Sequence, residues 1–222
     1  MIDQLWPPDI LTQLANKYGS DKGSRALGAH CYAGIYHRFF HSMRYDPISL
    51  LEIGLQHTLD HRSGVVPSLQ MWREYFSCAR LVGFDIRCFA DVMLPKCCIL
   101  QGDMSSRDDL HKLAPYGPFD IIIDDASHIS CDQQIALAAL FRLIKPGGIY
   151  VIEDLHWQPP NTEMPSVPKT RTLLRQGQFT SAVITSEEAS FLAANVCRIE
   201  LFDSRDRYNS DRSDAIAFIF KT

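Results

Sequence analysis

Short apolar runs alternate with helix-length stretches as far as residue 152. Residues 49–53, 81–86, 97–100 and 121–123 each read as a buried strand. A fifth strand follows Lys145-Pro-Gly-Gly148, which has the composition of a tight turn. Between the strands, residues 68–76, 106–113 and 132–144 read as helices. Strands alternating with helices predict a parallel sheet built through right-handed crossovers. The N-terminal part reads differently. Residues 9–18 predict a short amphipathic helix ended by Gly19, and 19–30, rich in Gly, Ser and charge, predict a loop. Residues 32–43 place Tyr32, Tyr36, Phe39 and Phe40 near helical spacing, as a stripe facing a core. At the other end, Ser186 followed by Glu187 and Glu188 predicts a helix start, with the helix running to about 195. Residues 198–202 and 215–220 then predict a terminal strand pair joined by a polar loop. Such a hairpin is foreign to the usual dinucleotide-binding plan. Residues 157–171, rich in Pro, Asn and Thr, predict a mobile lid.

Two of the strands end in acid. The fourth runs into Asp124-Asp125-Ala-Ser-His128, and the fifth into Glu153-Asp154. Parallel neighbours end at the same sheet edge, so these groups are expected to meet at one rim, where open α/β sheets bind ligands. Asp125 and His128 are three apart and would share a face of a helical turn. Each residue also has a plainer reading. The acids can cap helices or pair with cations, and a histidine after a strand can simply be solvated.

Composition narrows the setting. A chain of 222 residues suits one domain, here 1–222, with 1–45 as a helical cap or substrate segment and 155–180 spanning the lid. A net charge of −4 without a long basic run speaks against nucleic acid as partner. No apolar stretch reaches membrane-spanning length, and the N-terminus lacks signal-peptide features. Seven cysteines without a CxxC pair suggest free thiols in a reducing cytoplasm, with Cys97-Cys98 inside a buried strand.

The other strand ends suggest a cofactor. Strand one ends Leu51-Glu-Ile-Gly54, strand two Gly83-Phe-Asp85 and strand three Gln101-Gly-Asp103. Gln56 stands where a second loop glycine would be, which weakens an NAD or FAD reading. An acid ending strand two can accept from both hydroxyls of a ribose. With Phe119 to His128 and Lys145 to Asp154, these elements resemble the class I S-adenosylmethionine-dependent methyltransferases. Within them the chain most resembles the macrocin- and mycinamicin-type sugar O-methyltransferases, helped by Lys17-Tyr-Gly-Ser-Asp-Lys22, His30 and Tyr32. Ala126 departs from the glycine usual there. The resemblance implies an α/β, Rossmann-like, seven-stranded sheet of order 3-2-1-4-5-7-6 with helices on both faces. It implies S-adenosylmethionine contacts from Glu52, Gly54, Asp85, Asp103 and Met104, with Asp124 toward the methionine end. It implies Mg²⁺ on Asp125, Glu153 and Asp154, and His128 as general base.

The residues themselves allow that chemistry. Mg²⁺ prefers hard oxygen ligands and would hold and acidify an acceptor hydroxyl. An imidazole can then take the proton. His156 and Trp157 either line an acceptor pocket or cover the sheet edge, and His30 and Tyr32 either close over the cofactor or pack in the N-terminal helix. The expectation is O-methylation of a small natural product, a sugar or polyketide hydroxyl, by a chain for which a homo-oligomer is left open. Metal-independent C-methylation of an electron-rich aromatic such as an indole is the first alternative, with Trp6, Tyr32 and Trp157 near the rim. An NAD(P)-dependent oxidoreductase is the second, and a non-catalytic cofactor-binding module the third.

Overall fold

The computed structural model describes residues 8–25, 29–55, 65–156, 161–205 and 213–222. Strands β1 (Ser49–Ile53), β2 (Arg80–Asp85), β3 (Cys97–Gln101), β4 (Phe119–Asp124), β5 (Ile144–Ile152), β6 (Val196–Arg205) and β7 (Ser213–Lys221) form one sheet. Its order is β3-β2-β1-β4-β5-β7-β6. The first five are mutually parallel, and β7 runs antiparallel to β5 and β6. The expected order and the terminal hairpin are both present.

Because side chains alternate across a strand, the central strands can be apolar on both faces and still divide their burial between two layers. Leu50, Leu81, Ile121, Ile123, Val151 and Phe218 pack against helices α1 (Ile10–Tyr18), α2 (Ala33–Phe40) and α3 (Pro67–Tyr75). Leu51, Val82, Ile122, Tyr150 and Ile152 pack on the other side. That layer holds α4 (Arg107–His111), α5 (Ser130–Leu140), α6 (Thr170–Gln176) and α7 (Ser186–Asn195). The predicted aromatic stripe is core, with Tyr32, Tyr36 and Phe40 fully buried. Asp9 caps α1 by accepting from the Thr12 N–H at 2.9 Å, and Gly19 ends it in the left-handed region at φ 74°. No helix among the described residues is long and apolar enough to cross a membrane.

Four local expectations are corrected. Residues 145–148 lie within β5, at an irregular register where Ile144 pairs with Phe119 and Ile149 with Ile121. The loop 125–129 is not helical, because α5 begins only at Ser130. Thr185 rather than Ser186 caps α7, in a reciprocal capping box with Glu188. Strand β3 lies at the sheet edge, so Cys98 is exposed and Cys97 only partly covered. The stretch 155–180, read as spanning a lid, contains helix α6, whose Leu173 and Leu174 are buried.

Candidate active site

The site is organised by backbone bonds that link successive strand ends. The Gly54 N–H donates to the Phe84 carbonyl at 2.9 Å, that of Asp125 to Ile53 at 2.8 Å, and that of Glu153 to Asp124 at 2.9 Å. The tails of β1, β4 and β5 therefore lie side by side, and their side chains share one rim. Gly54 has a strict requirement here. Its φ is +86°, and a Cβ would sit 2.1 Å from the Asp125 carbonyl oxygen. Gly54→Ala must push the β4 loop away. The expected outcome is a destabilisation of about 1–3 kcal/mol with weakened donor binding, read by denaturation and calorimetry. Wild-type values for both would remove Gly54 from its assigned place.

At the rim, Asp125, His128 and Asp154 each offer one ligand atom, and these atoms lie within 4.8 Å of one another. His128 Nε2 stands 3.7 Å from Asp154 Oδ2. Both residues hold left-handed backbone, at φ 58° and 54°. Such conformations are uncommon outside glycine and collect at functional sites. The N-terminal segment completes the rim. The Tyr32 hydroxyl donates to Asp154 Oδ1 at 2.8 Å, and His30 Nδ1 lies 3.3 Å from the same oxygen. The His30 and Tyr32 rings stack at 5.3 Å. Asp214 of β7 joins His30 and Asp154 in a second group of converging ligand atoms. Its Oδ1 also accepts from the His156 N–H at 2.9 Å.

Sequence reasoning missed Lys22 as a member of this site. Its side chain is 1% exposed. Its ammonium bonds Asp125, lies 3.0 Å from Glu153 Oε1 and is 3.8 Å from Glu52 Oε1. Burial alone would lower its pKa, but the attraction of Asp125, Glu153, Asp21 and Glu52 holds it well above the ordinary lysine value. Glu153 also accepts from the Tyr36 hydroxyl at 2.5 Å. Glu153 is thus engaged by Lys22 and Tyr36, while Asp154 is engaged by Tyr32, His30 and His128. Leaving a buried charge without its partner costs about 3–5 kcal/mol, so the Lys22 cluster is held as a unit. The only sequence signal for it was a lysine in the Gly-Ser-Asp-Lys-Gly loop.

The candidate cofactor residues occupy the adjoining strand ends. Asp85 Oδ2 accepts from the Leu55 N–H and Oδ1 from the Arg87 N–H, both at 2.7 Å. Asp103 Oδ1 accepts from the N–H and hydroxyl of Ser105, and Met104 is buried in the core. Glu52 is fully buried, its oxygens taking bonds from the Ser68 hydroxyl at 2.8 Å and the Trp72 indole N–H at 3.2 Å. Asp124 is buried beside Tyr150. Trp157, Trp6 and Gln56 lie outside the described residues.

Burial pushes Glu52 up to about 7, and burial with the neighbouring Asp125 charge pushes Asp124 up to about 8. Unfolded carboxyls titrate near 4. Across the interval between, the folded chain binds more protons than the unfolded one, so its stability falls as pH rises. The metal-free protein is expected to lose stability from pH 5 to pH 8, by on the order of 3 kcal/mol from Glu52 alone. Glu52→Gln should flatten that part of the profile in thermal melts. A melting temperature rising over this interval would contradict the assignment.

No sequence-family profile matches the chain. It is 36% identical over 149 residues to the mycinamicin VI 2''-O-methyltransferase of Micromonospora griseorubida, covering 67% of this chain and 36% of that one. The figures are the same for the demethylmacrocin O-methyltransferase of Streptomyces fradiae. The chain therefore spans little more than a third of the length of these curated relatives. Among solved structures it superposes on the MycE methyltransferase of the mycinamycin biosynthetic pathway, in complex with Mg and SAH, with a TM-score of 0.75. That match has 28% identity and covers 97% of this chain and 54% of the other. With the sheet order, the rim and these relatives together, the chain belongs to the class I S-adenosylmethionine-dependent methyltransferases, in the line of the macrocin- and mycinamicin-type sugar O-methyltransferases.

Proposed function

We propose that the chain transfers the methyl group of S-adenosylmethionine to a hydroxyl of a small natural product, a sugar or polyketide hydroxyl, assisted by Mg²⁺ and by His128 as general base. The observation that carries this reading is the convergence of Asp125, His128 and Asp154 within 4.8 Å on the rim beside Gly54. Its support from relatives is that their names specify O-methylation, of mycinamicin VI in one and demethylmacrocin in the other, and that MycE was solved with Mg and SAH. These relatives favour neither the aromatic-carbon acceptor nor the dinucleotide oxidoreductase.

The donor set fits a hard divalent cation. Asp125 and Asp154 converge at the rim with His128, while Glu153 shares the Lys22 ammonium with Asp125. Burial and the Asp125 charge push Asp154 up to about 6, so negative charge is in surplus there. Asp125 and Asp154 would hold Mg²⁺, whereas Glu153, expected as a third ligand, already accepts from Lys22 and Tyr36 and stands outside the converging group. When bound, the ion would orient an acceptor hydroxyl and favour its ionised form.

The chain's own residues supply the rest. The Gly54 turn lets the β4 loop close against the end of β1, because no Cβ intervenes, and so shapes the edge over which the donor would pass. The Asp85 carboxylate, pinned by two backbone N–H groups, keeps lone pairs for ribose hydroxyls. His128 accepts the hydroxyl proton from an oxygen held beside Asp154. Tyr32 keeps Asp154 from swinging away, and the stacked His30–Tyr32 pair walls the site on the N-terminal side. His156, held through its backbone on Asp214 and with Nε2 3.9 Å from Asp203, would border the acceptor side, and Trp157 follows it in sequence.

A panel of glycosylated and polyketide alcohols incubated with methyl-labelled S-adenosylmethionine and Mg²⁺ tests this. The reading expects label in an O-methyl ether. Label on carbon, or no transfer to any hydroxyl, would refute it.

A further inference from the structure

The segment that carries Lys22 is built to place it. The Ser24 N–H donates to Asn16 Oδ1 at 2.8 Å, the Ala33 N–H to the Lys22 carbonyl at 2.8 Å and the His30 N–H to the Asp21 carbonyl at 2.8 Å. A Cβ on Gly23 would meet Asn16 Oδ1 at 2.6 Å, so a side chain there would dislodge the turn next to Lys22. These contacts tie the loop to α1 and α2 and send Lys22 inward, between carboxylates from three strands.

We propose that Lys22 is a positioning residue for the divalent-cation site: its ammonium holds Asp125 and Glu153 so that Asp125 and Asp154 stay converged on one ion. This rests on the reading above. A carboxylate accepts on two oxygens, so one can be held by an ammonium while the group still ligates a metal. Partners that orient ligating groups in this way commonly set metal affinity by 10–100-fold. The alternative is that Lys22 only balances buried charge. The two differ in what restoring charge balance does. If balance is all that matters, removing Lys22 together with one buried acid that is not a candidate ligand should be harmless to the metal. Glu52 is that acid, since it bonds Ser68 and Trp72 and is absent from the converging ligand group.

The test titrates Mn²⁺ into the metal-free full chain, followed by electron paramagnetic resonance, for wild type, Lys22→Met, Lys22→Gln and the double variant Lys22→Met/Glu52→Gln. S-adenosylhomocysteine affinity is measured alongside by calorimetry. Lys22 variants should bind Mn²⁺ about 10–100-fold more weakly, with S-adenosylhomocysteine affinity within about twofold of wild type. The double variant, folded with its charge balance restored, should remain equally weak. Wild-type Mn²⁺ affinity in the double variant, or in either folded single variant, overturns the proposal and leaves the methyltransferase reading standing. Wild-type chain that binds S-adenosylhomocysteine but no Mn²⁺ overturns the metal part of that reading, and this inference with it.

Discussion

Replacing His128 by Ala should lower turnover by about 10²- to 10⁴-fold while S-adenosylhomocysteine affinity stays within about twofold of wild type. The separation follows from position. His128 sits in the loop after β4, with Nε2 3.7 Å from Asp154, whereas the candidate donor contacts other than Asp124 lie at the ends of β1, β2 and β3. An alcohol oxygen is a poor nucleophile until its proton leaves, so a base beside it acts on the chemical step rather than on donor binding. The φ of 58° at His128 costs conformational energy, which suits a ring fixed by the site rather than one left to solvent. Alanine relieves that constraint only in part, and the fold should survive because α5 starts independently at Ser130. Rapid-quench turnover with a confirmed acceptor, paired with calorimetry, checks both halves. Turnover unchanged in His128→Ala would take proton removal away from this residue. A joint collapse of turnover and donor affinity would make its role structural.

The second large effect is metal removal. Chelation should cut methyl transfer to hydroxyl acceptors by at least about 10²-fold, since a Lewis acid at the reacting oxygen is worth several kcal/mol of barrier. Added Mg²⁺ should restore it. Asp154→Asn is the informative variant, because the amide keeps an acceptor for the Tyr32 hydroxyl at nearly the same size. It should behave like chelated wild type and resist rescue by millimolar Mg²⁺. Its melting temperature should hold, because it removes a carboxylate that burial and Asp125 already disfavour as an anion. Full activity in chelator would return the mechanism to a metal-independent one.

Which features were readable from the chain alone has a physical basis. Strands β1, β4 and β5 are parallel and covered on both faces, so they stand out as unbroken apolar runs, and the acids that end them were legible as a shared rim. The hairpin β6–β7 was legible because its polar connection lies between two apolar runs. The Pro-Gly-Gly of residues 146–148 was misread as a turn, since the same residues serve an irregular strand register. Cys97 and Cys98 looked buried because a strand's edge position depends on partners far away in sequence. Lys22 was illegible as a site residue for the same reason. Its partners Asp125 and Glu153 are 103 and 131 residues distant, and only the folded N-terminal loop brings them within bonding range. Tyr32 was read as either closing over the cofactor or packing in the N-terminal helix; its ring is buried and its hydroxyl bonds Asp154.

The proposed activity requires the β1, β4 and β5 rim to hold a sulfonium donor and a divalent cation together. A crystal grown with S-adenosylhomocysteine and Mn²⁺ addresses this directly, through the anomalous signal of the metal. The predicted map has one Mn²⁺ peak ligated by Asp125 and Asp154, with His128 facing it and the cofactor passing over Gly54 with its ribose on Asp85. A cofactor bound elsewhere, or a rim without a metal peak beside an occupied cofactor, would contradict it.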